Sequence, residues 1–241
     1  MKMPAPAVDY RQLRPSNLTS EAYRHLLLLL YWPFYGLTFL YLERFYQPAG
    51  WHVMHCALDD RIPFLEWFLI PYLFWFLYLG GMVFYTLFMD IPAFRALMRF
   101  IILTCSVTMV IYFLWPTCQE LRPDSFARDN LLTRFMAAFY RFDTNTNVCP
   151  SIHVLSSLGV IFAGLRCRGF RTAPRKAALI FTGLLVCLST VFLKQHSVLD
   201  VLAALPLSLI GWYLCFYLPD RRQGYGHNRQ HRQKSRPCAS A

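Results

Sequence analysis

Between His25 and Leu218 the chain returns six times to a long apolar run, and this recurrence limits its fold more than any other feature. The runs are HLLLLLYWPFYGLTFLYLERF (His25 to Phe45), FLEWFLIPYLFWFLYLGGMVFYTLFM (Phe64 to Met89) and FIILTCSVTMVIYFLW (Phe100 to Trp115). After a polar interval come HVLSSLGVIFAGL (His153 to Leu165), ALIFTGLLVCLSTVF (Ala178 to Phe192) and VLDVLAALPLSLIGWYLCFYL (Val198 to Leu218). A helix needs about 20 apolar residues to cross a hydrocarbon core of roughly 30 Å. The fourth and fifth runs fall short of that, so their ends must be sheltered by protein or lie at an interface. Of the 241 residues 56% are hydrophobic and only 15% charged, which excludes an ordinary soluble domain. The predicted fold class is therefore all-α, a polytopic membrane protein built as a six-helix bundle. Residues 1–24 form an N-terminal segment, 25–218 the membrane domain and 219–241 a polar, basic tail expected to be disordered. Pro33, Pro71 and Pro206 do not reduce the count, because neighbouring helices in a bundle satisfy the freed carbonyls. The first run starts after 24 residues and is long enough to stay in the bilayer, so no cleavable leader is expected.

Charge sets the orientation. Six crossings put both termini on one side, and that side, with the loops around Arg95 and Arg99 and from Arg166 to Lys176, collects 17 of the 24 Lys and Arg residues. Positive charge is retained in the cytoplasm, so both termini are expected there, in a cell-membrane protein that crosses several times. The net charge of +11 then reflects groups flanking spans beside anionic lipid, with no call for nucleic acid. Cys105, Cys187 and Cys215 lie in spans and read as small hydrophobes. Cys118 and Cys149 share the long outer loop, 116–150, and are expected to be free thiols rather than a disulfide.

Under this topology three polar clusters meet at the extracytoplasmic face: Arg122; Ser151 with His153; and Lys194, His196 and Asp200. Ionisable groups beside spans are costly and usually functional. His196 and Asp200 share a helix face at four-residue spacing, so the carboxylate can fix one imidazole tautomer and leave the other nitrogen free as a nucleophile. CPSIHV reads as a helix start, whose free N–H groups suit phosphate oxygens, with His153 in the first turn as a proton donor. Arg122 and Lys194 add cations for the same anion. This combination points to phosphoryl transfer through a phosphohistidine, without metal or other cofactor. Zinc on two histidines and an aspartate is disfavoured by the two cations beside them.

These residues resemble the type 2 phosphatidic acid phosphatase superfamily, whose motifs take the forms KxxxxxxRP, PSGH and SRxxxxxHxxxD. WPTCQELRP (Trp115 to Pro123) looks like the first, PSIH (Pro150 to His153) the second and STVFLKQHSVLD (Ser189 to Asp200) the third, in the same order and in matching positions relative to the spans. The resemblance implies a six-helix, metal-independent membrane enzyme acting on a lipid phosphate. By position it implies His196 as nucleophile, Asp200 as its orienting carboxylate, His153 as general acid, and Arg122 and Ser151 as phosphate ligands, with Ser189 opening the third motif. Three positions depart from the pattern: Trp115 replaces the motif lysine, Ile152 the glycine, and Thr190 the arginine, for which Lys194 one turn later is the expected substitute. Fewer cations suit a singly charged diester better than a monoester. The leading expectation is a lipid phosphate phosphatase. The alternative is a phosphotransferase exchanging a diester headgroup, similar to inositol phosphorylceramide or sphingomyelin synthases; the third reading is an inactive or non-enzymatic membrane protein.

Overall fold

The computed structural model describes residues 6–219, so the basic tail from residue 220 onward lies outside the described residues. Among them are eight α-helices: α1 (Tyr31–Arg44), α2 (Ala57–Arg61), α3 (Leu69–Met89), α4 (Ile91–Leu114), α5 (Leu131–Phe142), α6 (Ile152–Arg166), α7 (Ala173–Phe192) and α8 (Val198–Trp212). A 3-10 stretch, Arg24–Leu30, leads into α1, another, Glu66–Phe68, into α3, and a π-helical turn, Tyr213–Tyr217, continues α8. The only strands among the described residues are β1 (His52–Val53) and β2 (Thr117–Cys118), paired in parallel with His52 opposite Thr117.

Five helical stretches are long and apolar enough to cross a membrane: 24–44, 66–89, 91–114, 173–192 and 198–217. The sixth apolar helix, α6, has only 15 residues. Two span limits differ from the sequence reading, and in both cases a proline in the first turn explains it. Helix α4 starts at Ile91, where the Asp90 side chain accepts from the Ala93 N–H at 3.1 Å and Pro92 follows, so Arg95 and Arg99 belong to the helix and not to a loop. Helix α7 starts at Ala173, just before Pro174, and reaches 20 residues, a full span rather than a short one.

The short α6 needs no full apolar length because it is the central helix, packed by α3, α4, α7 and α8. Leu155, Val160 and Ala163 are fully buried on it, whereas Leu37, Leu77, Phe84, Phe181 and Leu209 on the surrounding helices are each more than 60% exposed. An apolar exterior around a packed interior is what lipid as solvent permits. Gly159 lets α6 approach α4: a Cβ there would lie 2.7 Å from the Phe100 ring. Gly159→Val is therefore expected to destabilise the bundle by about 1–3 kcal/mol through overpacking. Thermal unfolding in detergent reads this directly, and an unshifted midpoint would contradict the packing.

The long loop, 116–150, is not featureless. Asn130 caps α5 by accepting from the Leu132 and Thr133 N–H groups, at 2.9 and 3.1 Å. Met136 is completely buried, and Leu132, Phe139 and Tyr140 pack with it against Leu69 and Tyr72 of α3 and Leu193 after α7. Apolar residues at 132, 135, 136, 139 and 140 follow helical periodicity, so the sequence carried the signal for this surface helix. Helix α5 thus closes the end of the bundle where the polar clusters meet.

Candidate active site

The opening of the site is set by how α7 stops and α8 starts. At the end of α7 the Lys194 N–H donates to the Val191 carbonyl and the Gln195 N–H to the Thr190 carbonyl, at 3.0 and 2.9 Å, with Lys194 left-handed at φ 53°. This is a Schellman stop with lysine where glycine is usual. Two residues later Ser197 caps α8: its hydroxyl accepts from the Leu199 N–H at 3.1 Å, and its own N–H donates to Asp200 Oδ2 at 2.9 Å. HSVLD is therefore a capping box, and the same Asp200 oxygen also receives His196 Nδ1 at 3.1 Å. Since a carboxylate only accepts, Nδ1 carries the hydrogen and Nε2 keeps its lone pair. The bracing pair and the helix cap are one structure.

His153 stands opposite, in the first turn of α6, its ring centroid 5.6 Å from that of His196. Its ring stacks on Tyr72 at 4.7 Å and lies 4.4 Å from Trp75. Trp75 is itself fixed by donating from Nε1 to Ser156 Oγ at 2.8 Å. These two rings fix where the His153 imidazole stands relative to His196. The PSIH segment is held from three sides: Tyr112 donates to the Pro150 carbonyl at 2.8 Å, Thr117 Oγ1 accepts from the Cys149 N–H at 3.0 Å, and the Ser151 N–H donates to the Asp200 carbonyl at 3.1 Å. Cys118 and Cys149 are both buried free thiols.

His153 and His196 line one cavity of about 310 Å3, together with Glu43, Asp143, Asn147, Gln195 and a wall of aromatic rings. The other expected site residues stand outside this lining. Arg122 is spent on the protein, donating from Nη1 to the Tyr140 and Asp143 carbonyls and from Nη2 to the Thr144 carbonyl and Gln195 Oε1, at 2.7 to 3.0 Å. Its guanidinium also covers the Tyr140 ring at 4.5 Å. Burial lowers its pKa from the usual arginine value, against the charge of Asp143. Lys194 donates from Nζ to the Asp59 carbonyl at 2.6 Å, and burial pulls its pKa down although Asp59 and Asp60 oppose this. The expected substitution of Lys194 for the missing motif arginine is thus not the arrangement found: the left-handed turn sends its side chain to α2. Ser189 is buried and donates back to the Val186 carbonyl at 2.6 Å, and the Ser151 hydroxyl is buried with no hydrogen-bond partner.

Two carboxylates important to the site carry no motif in the sequence. Asp59 of α2 is fully buried and accepts from Ser197 Oγ at 2.6 Å, the Val198 N–H at 2.8 Å and the Cys56 N–H at 2.9 Å. Burial pushes its pKa up, but these bonds outweigh it and hold the group below the usual carboxylate value. Asp143, just after α5, accepts from Gln195 Nε2 at 2.9 Å and lies 3.9 Å from Arg122 Nη2. Its pKa is raised to about 6, by burial first and by Glu43 in addition, with Arg122 and His196 opposing.

Comparison with known proteins agrees with the motifs that build this cavity. The family model described as PAP2 superfamily matches residues 96–223, more than half of the chain, from within α4 to past the last described residue. Searches of curated proteins and of solved structures gave no match. The match takes in all three motif segments and both histidines of the cavity, and on it the chain belongs to the PAP2 superfamily.

Proposed function

We propose that the chain transfers a phosphoryl group from a lipid phosphate ester through a phosphohistidine on His196. The observation that carries this reading is the pair of imidazoles lining one cavity, their ring centroids 5.6 Å apart, with only His196 tied to a carboxylate. His196 Nε2 attacks phosphorus while Asp200 balances the charge that develops on the ring. His153, between Tyr72 and Trp75, gives its proton to the departing alkoxide and then takes one from the incoming water or alcohol. The free N–H groups at the start of α6 supply donors for the phosphoryl oxygens. The substrate is a lipid in the bilayer, reached at the extracytoplasmic face if both termini are cytoplasmic.

A hydrolase for lipid phosphate monoesters is the simplest version. The lining favours the other version, transfer or hydrolysis of a phosphodiester: no Lys or Arg lines the cavity among the described residues, and two carboxylates do. A monoester near neutral pH carries close to two negative charges and a diester only one, so the diester is the less repelled. The test is turnover of purified protein in EDTA on a panel of lipid monoesters and diesters, with and without an alcohol acceptor. Release of phosphate or headgroup that requires His153 and His196 supports the reading. Turnover retained in His196→Ala would sink it.

The aromatic support of His153 gives a further expectation. Trp75→Ala should lower kcat by roughly 10- to 100-fold, because it removes the ring that holds His153 in place as the acid. Steady-state kinetics on any active substrate checks this, and a pure KM effect would contradict it.

A further inference from the structure

Glu43 and Asp143 are the unexplained part of the cavity. Phosphoryl transfer at the two histidines has no use for them, and both would repel the phosphate group. Glu43 sits in the last turn of α1, where Thr144 Oγ1 donates to its Oε2 and Asn147 Nδ2 to its Oε1 at 3.3 Å. Asp143 is placed by Gln195 Nε2 and by Arg122 as described above. Glu43 is set in position by the loop 116–150 and Asp143 by Arg122 and by Gln195 of the turn before α8, and both line the same space. The walls of that space are Tyr35, Tyr72, Trp75, Tyr112, Phe139 and Phe142. The acidic and imidazole groups do not converge as metal ligands do: no set of three or more His, Cys, Asp or Glu suited to a metal ion occurs among the described residues. Aromatic faces with one or two carboxylates and no convergent ligand set are the chemistry that binds an organic ammonium.

We propose that Glu43, Asp143 and the aromatic wall form a subsite for the cationic headgroup of an amino-alcohol phosphodiester lipid, beside the phosphoryl position defined by His153 and His196. This rests on the transfer reading above and narrows it. The headgroup stays with phosphorus: the bond from His196 Nε2 to phosphorus forms as the bond from phosphorus to the lipid alkoxide breaks, and His153 protonates that alkoxide. A water or alcohol hydroxyl then attacks phosphorus and loses its proton to His153, and the bond to Nε2 breaks. The ammonium is held throughout, so the phosphorylated headgroup is what the enzyme delivers.

Asp143 makes the subsite sensitive to pH. Its carboxyl, raised to about 6, faces Glu43, Arg122 and His196, with Gln195 and Tyr72 alongside. Below that pH it is neutral and attracts a cation less; above it the charge is present. The ratio of kcat/KM for phosphatidylcholine to that for phosphatidylglycerol, whose headgroup is uncharged, cancels the titration of the two histidines, which serve both lipids.

The experiment uses the full chain in mixed micelles. The ratio should rise as pH passes upward through about 6, and the rise should vanish in Asp143→Asn. At pH 7.5 Glu43→Gln should lower the ratio by roughly 10- to 100-fold, the effect of one charge-assisted contact. A flat ratio, or equal losses on both lipids in Glu43→Gln, would overturn the subsite. Binding of tetramethylammonium, read by Trp75 fluorescence, separates the two levels of the argument. Binding that is lost in Glu43→Gln, in a protein that turns over neither lipid, keeps the subsite and removes the transfer reading. Absence of binding in the wild type removes the subsite whatever the turnover shows.

Discussion

His196→Ala is expected to reduce turnover by on the order of 10^4-fold or more, while the protein still folds and still binds a lipid phosphate. The size follows from the role: without Nε2 there is no covalent step, and water has no equally placed base to replace it. Folding should survive because the cap of α8 does not depend on the ring. Ser197 and Asp200 keep their reciprocal bonds, and the Schellman stop of α7 uses only backbone. Asp200→Asn is predicted to be different. The amide retains its shape but can turn an N–H toward Nδ1, which selects the wrong tautomer and weakens the cap together. Activity should fall on the order of 10^3-fold, with a loss of stability that His196→Ala lacks. Measuring kcat and unfolding in detergent for the two variants side by side separates the roles. Equal stability of both would contradict the shared use of one carboxylate oxygen.

The second large effect is expected at a residue far from the motifs. Asp59→Ala should cost about 3–5 kcal/mol of stability, because it leaves the Ser197 hydroxyl and the Val198 and Cys56 N–H groups buried without their acceptor. Asp59→Asn should be nearly as damaging, since one of the two acceptor oxygens becomes a donor facing donors. Activity should fall with stability, as the latch between α2 and the start of α8 is what holds His196 in register. The group's pKa is lower folded than unfolded. Its contribution is therefore present above the unfolded value, about 4, and is lost as pH falls through the folded value. Unfolding measured from neutral to acid pH should show the gap between wild type and Asp59→Asn closing at the acid end. A constant gap would mean that the carboxylate charge is not what stabilises the fold.

The all-helical fold was legible because apolar length is written into consecutive residues, and lipid demands it. Span limits were less so. Asp90 with Pro92, and Thr172 with Pro174, begin helices that the apolar runs alone would start later, since a helix start is set by caps and not by hydropathy. Helix α5 lies inside the stretch 116–150 that the apolar runs mark only as a loop, although its apolar residues repeat at helical spacing. Within the site, spacing of four residues was enough to place His196 against Asp200. The cation positions were not readable in that way: a charged side chain shows its sign in sequence but not its partner. Arg122 is held by the Tyr140, Asp143 and Thr144 carbonyls and Gln195, and Lys194 by the Asp59 carbonyl. Glu43, Asp59 and Asp143 come from three different segments, and only folding brings them to the histidines.

The central claim is a covalent bond between phosphorus and His196, and trapping it is the most direct measurement. Protein mixed with a lipid phosphate ester labelled in its phosphoryl group, then denatured at alkaline pH where a phosphohistidine survives, should carry label on the peptide containing His196. The label should be absent from His196→Ala and should accumulate in His153→Ala, where the incoming water or alcohol has no base to take its proton. Product formed by the wild type with no label on His196 at any time before turnover is complete would contradict the account.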